Sequence, residues 1–197
     1  MNKDEIEARV IEASVCLFSS RGYHGTSTRE IARLADVNEN SMFRHFRRKE
    51  DLFWAAVESQ LKQAQIDVAL QSALAEGAVP ETVVPLILDF MVRTTTERPE
   101  LVRLLSVGFL ELRAGAESVY REHLTPICRA INGYLAGSIE CGKLRAFDPA
   151  LVSAGFLITA IVHHGLYQLL TGREAPYCGA EEAVAAYSQF WLEALAP

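Results

Sequence analysis

The sequence predicts an all-α protein, and three observations carry that expectation. Apolar residues recur three and four apart through nearly every segment, no stretch alternates as a half-buried strand would, and Ser, Asn, Gly and Pro fall where helices begin and end. With 197 residues, 50% of them apolar and 22% charged, the composition is that of a globular chain long enough for one or two cores, which excludes disorder as the main state.

The first helix is expected over 3–21, with Ile6, Val10, Ala13, Leu17 and Phe18 on one stripe. Gly22 stops it, because glycine accepts the left-handed conformation that closes a helix. Ser27-Thr28-Arg29-Glu30 is a capping-box pattern, in which hydroxyl and carboxylate each accept from the other residue's amide, so a short helix starts there. It carries Ile31, Ala32 and Leu34 inward and ends near Ala35. Asp36 makes the turn, since aspartate tolerates left-handed backbone, and Asn38 caps a third helix over 39–46 that buries Val37, Met42 and Phe46. Two short helices joined by three or four residues form a helix-turn-helix. After Arg47-Arg48-Lys49 one long helix is expected as far as Glu76-Gly77, about 40 Å at the usual rise per residue. Beyond the break at Ala78-Val79-Pro80, helices are expected over 81–95 and 99–110 and, with a bend at Pro126, over 117–141, which Gly142 closes. Asp148-Pro149 caps and starts an uncharged helix to Leu170, and a final helix runs over 179–195 with Val184, Tyr187, Trp191 and Leu195 on one side.

Charge is unevenly spread. The net charge of −6 argues against indiscriminate nucleic-acid binding. Yet seven basic residues (Arg21, Arg29, Arg33, Arg44, Arg47, Arg48, Lys49) face three acidic ones (Glu30, Asp36, Glu39) over 21–49, a basic patch on an acidic protein. Cys16, Cys128, Cys141 and Cys178 are far apart, without metal-site spacing, and read as reduced, buried thiols of a cytoplasmic protein. The opening MNKDEIEARV has no apolar core and reads as no secretory signal. Residues 151–170 have the length of a membrane span, but Ser153, Thr159, Gln168, His163 and His164 would be costly in lipid, so a helix buried by protein is expected. Adjacent histidines point about 100° apart on a helix, too divergent to share a metal, which leaves one of them as a candidate to line a cavity. With no nucleophile elbow, phosphate-cradling glycine loop or paired metal-ligand motif, no catalytic residue, metal or cofactor is expected.

Gly22-Tyr23, then Thr26 to Ala32, Ala35-Asp36-Val37 and Met42 to Leu52 resemble, without a gap, the TetR-type family of bacterial transcriptional regulators. The resemblance covers about 50 residues; the rest matches only in architecture. It implies an N-terminal three-helix DNA-binding domain (1–48) joined by the long helix to a C-terminal ligand-binding and dimerisation domain (49–197). It further implies a third helix lying in the major groove, with phosphates held at the starts of the second and fourth helices. The second-helix start offers Thr26, Ser27, Thr28 and Arg29, and Lys49 stands at the fourth. Base contact then falls to Arg44 and His45, with Asn38, Asn40 and Ser41 near bases or phosphates and Phe43 packed on sugar, on a thymine methyl or in the core. Three positions depart from the family pattern: Asp36 replaces a turn glycine, Phe43 a tyrosine and Asn40 a small residue.

For the C-terminal lobe the expectation is an effector pocket bordered by some of Phe90, Phe109, Tyr120, Tyr134, Phe156, His163 and Tyr167, aromatics that are core by default. The uncharged helix has more apolar surface than one thin lobe covers. Pairing it with the last helix across a two-fold axis makes a four-helix homodimer interface of Leu151, Ile158, Ile161, Val184, Tyr187 and Trp191. The expected function is a ligand-responsive regulator, usually a repressor, that binds a pseudo-palindromic operator and is released by a small molecule. The competing reading is a helical carrier or protein-interaction module whose first lobe has lost DNA affinity.

Overall fold

A computed structural model describes residues 2–64, 68–159 and 179–197. Every regular element among them is helical: α1 (Lys3–Arg21), α2 (Thr28–Leu34), α3 (Glu39–His45), α4 (Lys49–Gln63), α5 (Val68–Ala75), α6 (Pro80–Glu97), α7 (Pro99–Glu111), α8 (Arg113–Val119), α9 (Thr125–Glu140), α10 (Pro149–Ile158) and α11 (Ala180–Leu195). They form two compact units, Met1–Ala64 with Glu100–His123 and Gln65–Pro99 with Leu124–Pro197.

In the first unit, α1 is capped by a reciprocal pair: Asn2 Oδ1 accepts from the Glu5 amide at 2.8 Å and the Glu5 carboxylate accepts from the Asn2 amide. Gly22 closes it at φ 73°, its amide donating to the Phe18 carbonyl. Val10, Phe18, Ile31, Met42, Leu52, Phe53, Ala56 and Val57 are fully buried between α1 and the helices on it. Phe18 meets Phe53 edge-on at 5.2 Å. Helices α7 and α8 lie on the Trp54 indole where they have no side chain: a Cβ on Gly108 would stand 3.0 Å from Trp54 Cη2, and one on Gly115 would collide with the pyrrole edge. Leu34, expected inward, is 53% exposed. It is the last residue of α2, and the turn that follows sends the chain away before anything covers it.

The second unit is cored by Val83, Val84, Ile87, Leu88 and Val92 of α6, Ile131, Tyr134 and Leu135 of α9, Phe156 of α10 and Leu195 of α11. The Tyr134 hydroxyl donates to the Ala78 carbonyl at 2.8 Å. Trp191 crosses α10 over Gly155 and meets Phe156 edge-on at 4.9 Å.

Two expected long helices are each divided. The 49–77 helix stops at Gln63, where Ala64 leaves helical backbone at φ −92°, ψ 44°, and α5 begins at Val68. The 117–141 helix is instead α8, a wide π turn over Tyr120–Leu124 and α9, with Pro126 in the first turn of α9 where no amide donor is needed. Both breaks coincide with the boundary between the units, because the halves bury their stripes in different cores: Leu61 in one and Leu70 in the other, for instance. The thiols are also corrected. Cys16, on the outer face of α1, and Cys141, at the end of α9, are exposed and Cys128 is half-buried; Cys178 lies outside the described residues. Among the described residues no helix is long and apolar enough to cross a membrane.

Candidate nucleic-acid interface

Helices α2 and α3 are each seven residues long and hold their geometry by local caps rather than length. The Ser27 hydroxyl accepts from the Glu30 amide and donates to Glu30 Oε2 at 2.7 Å, while the Ser27 amide donates to the same carboxylate at 3.0 Å. Arg21 adds a guanidinium 2.8 Å from Glu30 Oε1. The Ser27 bonds, then Arg21, hold the Glu30 carboxyl below the usual carboxylate range. The turn is made at Asp36, φ 55°, the one non-glycine residue among those described with left-handed backbone. Its carboxylate is 3.3 Å from Arg9 of α1, so the negative charge it adds to this face meets a cation. Asn38 Oδ1 accepts from the Asn40 amide at 2.8 Å and starts α3.

Met42 anchors α3 inward with no exposed surface. Asn40, Phe43 and Arg44, at i, i+3 and i+4, therefore share the outward face. Ser41 is half-buried at its edge. Neither the Asn40 side-chain amide nor the Arg44 guanidinium has a hydrogen bond among the described residues. Phe43 is 37% exposed, which removes the core reading for its ring. Arg29, Arg33 and Arg47 are likewise exposed and unpartnered among the described residues, whereas Arg9, Arg21 and Arg48 are held by Asp36, Glu30 and Asp51. The basic patch is thus sorted into structural and available cations, a division that counting charges could not make.

Lys49 opens α4, with its ammonium 4.3 Å from the centre of the Tyr23 ring. Burial lowers the Lys49 pKa from its ordinary value, and the Glu111 carboxylate opposes that shift. Tyr23 in turn stacks on Phe18 and meets Phe53 edge-on, and its phenol is pushed up by burial first and by Glu50 next.

Two expected contacts are displaced. Thr26 is 3% exposed, and its hydroxyl donates inward to the Leu17 and Gly22 carbonyls at 3.1 and 3.0 Å, tying the end of α1 to the start of α2. His45 has an 11% exposed side chain, its Nδ1 lies 3.8 Å from Glu7 Oε2 of α1, and its place next to the buried stripe turns it away from the Arg44 face. Thr28 donates to Glu39 at 2.8 Å, joining α2 to α3. Nothing in the residue types distinguishes these inward hydroxyls and imidazole from outward ones.

In the second unit, Tyr134 and Phe156 are spent on core packing and Phe90 packs against that core, while Phe109, in the first unit, is 45% exposed. Val184, Tyr187 and Trp191 are partly buried against their own core. On α10 and α11 the most exposed large apolar side chains among the described residues are Leu151 at 73%, Phe190 at 63% and Ile158 at 59%. The Tyr120 side chain and Ile161, His163, His164 and Tyr167 lie outside the described residues.

A capped helix-turn-helix that presents an amide, a ring and a guanidinium on one exposed face, flanked by unpartnered arginines, belongs to the class of DNA-binding helix-turn-helix regulators. Residues 10–56 match the family described as bacterial regulatory proteins, tetR family. It is similar to the HTH-type transcriptional regulator RutR of Escherichia coli K12, 28% identical over 159 residues that span 79% of this chain and 71% of RutR. It is also similar to the HTH-type transcriptional repressor NicS of Pseudomonas putida, 27% identical over 80% of this chain and 73% of NicS. Among solved structures, AibR in complex with isovaleryl coenzyme A and operator DNA shares the fold with a TM-score of 0.72 at 16% identity, covering 94% of this chain and 97% of AibR.

Proposed function

We propose that this chain is a cytoplasmic, non-enzymatic repressor that binds a pseudo-palindromic operator as a homodimer and leaves it when a small molecule occupies the lobe formed by residues 49–197. The observation that carries the reading is the outward face of α3, where Asn40, Phe43 and Arg44 stand together with no partner of their own. Arg29, Arg47 and Lys49 supply phosphate contacts around it, and Ser27, Thr28, Asn38 and Ser41 set the ends and edge of the helices that present it. Leu151, Ile158 and Phe190 supply the apolar surface for the second copy. Release needs only that effector and operator favour different arrangements of the two lobes. In place of one long lever, the movable piece is α4, which carries Lys49 at its start and Trp54 under Gly108 and Gly115.

Selection of sheared genomic DNA on the purified protein at two salt concentrations, followed by sequencing, tests the reading. A palindromic site retained at low salt and lost at high salt is expected. Recovery of no sequence at either salt concentration from protein shown by mass spectrometry to be ligand-free overturns it in favour of a carrier or interaction module.

A further inference from the structure

We infer that Phe43 is a specificity-determining residue: its ring contacts the C5 methyl of a thymine in each operator half-site, beside a base pair read by Asn40. The inference rests on the DNA-binding reading above and goes beyond it to the bases preferred. Three observations lead there. The ring is 37% exposed on the first unit's surface, while Met42 beside it is fully buried, so α3 is rotated to send Phe43 outward. Phe43 lies within 100° of Asn40 and of Arg44 around the helix, so a groove that receives one receives all three. The ring also lacks a hydroxyl, so it can give a phosphate no hydrogen bond, and what it can offer in a groove is apolar contact.

The major groove presents one apolar group, the thymine methyl. The side chains flanking the ring match adjacent chemistry: the Asn40 amide is the bidentate partner of adenine N6 and N7, and the Arg44 guanidinium that of guanine O6 and N7. Asn40 and Phe43 are separated by about 4.5 Å along the helix axis, close to one base-pair step, so the methyl belongs to a neighbouring pair. The half-site therefore contains adjacent A·T pairs next to a guanine.

The methyl can be removed without touching hydrogen bonding, by replacing thymine with deoxyuridine. On the operator enriched by selection, each thymine is replaced singly in a synthetic duplex and affinity is measured for the parent protein, Phe43→Ala and Phe43→Leu. One thymine per half-site should show about a fourfold loss with the parent protein, the worth of one buried methyl. Phe43→Ala should bind the thymine and deoxyuridine duplexes alike, and Phe43→Leu should keep part of the difference. Equal binding of all deoxyuridine duplexes by the parent protein overturns the inference, as does a thymine preference that Phe43→Ala retains. Uniform weakening of every duplex by Phe43→Ala, with no methyl effect, would place the ring on a sugar instead. Failure to enrich any operator counts against the DNA-binding reading itself, so the two failures are distinct.

Discussion

Thr26 separates a structural hydroxyl from a phosphate-binding one, and its replacement by valine puts that distinction to measurement. The side chain is 3% exposed, and its hydroxyl donates to the Leu17 and Gly22 carbonyls. Valine fills the same space but offers no donor. The net loss of one hydrogen bond is about 1 kcal/mol, rising to about 2 kcal/mol if a carbonyl is left buried without a partner. In a chain of this length each 1 kcal/mol moves the melting temperature by about 2–4 °C, so a fall of about 2–8 °C is expected. Thr26→Ser keeps the donor and should recover most of it. Operator affinity of the folded Thr26→Val protein should be unchanged, and so should the slope of affinity against salt. Unchanged melting together with a salt slope reduced by about one would show that Thr26 holds a phosphate and that its inward bonds do not govern its role.

Four further outcomes follow from the same geometry. Arg44→Ala should weaken operator binding by about 1–3 kcal/mol and relax preference at one base pair, while Lys49→Ala should weaken all sequences alike and lower the salt slope by about one, both read by titration of operator and scrambled duplexes. Asp36→Val should lose about 1–2 kcal/mol in urea unfolding because the left-handed turn crowds a branched Cβ, whereas Asp36→Gly should stay within about 1 kcal/mol of the parent. The folded-state pKa of Glu30 is depressed by Ser27, so its contribution is present above the unfolded carboxylate pKa and lost as pH falls through the folded one. Glu30→Gln should therefore be less stable than the parent at neutral pH and converge with it in strong acid, as urea midpoints against pH would show. Ile158→Glu puts a charge on the outward face of α10 and should shift the protein from dimer to monomer in sedimentation equilibrium without changing its helix content.

The sequence by itself determined the parts whose causes are local. Caps, turns and stripes depend on residues within a few positions of each other, so Ser27 with Glu30, Asp36, Asn38 and Gly22 marked the helix-turn-helix to within a residue or two, and Asp148-Pro149 marked the start of α10. The run of basic residues and the three departures at Asp36, Asn40 and Phe43 were legible for the same reason. What only the tertiary structure decided is direction and grouping. The helical period places Asn40, Phe43 and Arg44 on one face, but the burial of Met42 against α1 and α2 is what turns that face outward and His45 toward Glu7. The Thr26 hydroxyl was claimed by carbonyls four and nine residues back, and Arg9 and Arg21 by carboxylates 27 and 9 residues on. The breaks at Ala64 and before Pro126 came from two cores competing for one helical stripe. A periodic sequence shows that a stripe exists, but not that its two halves are buried in different places.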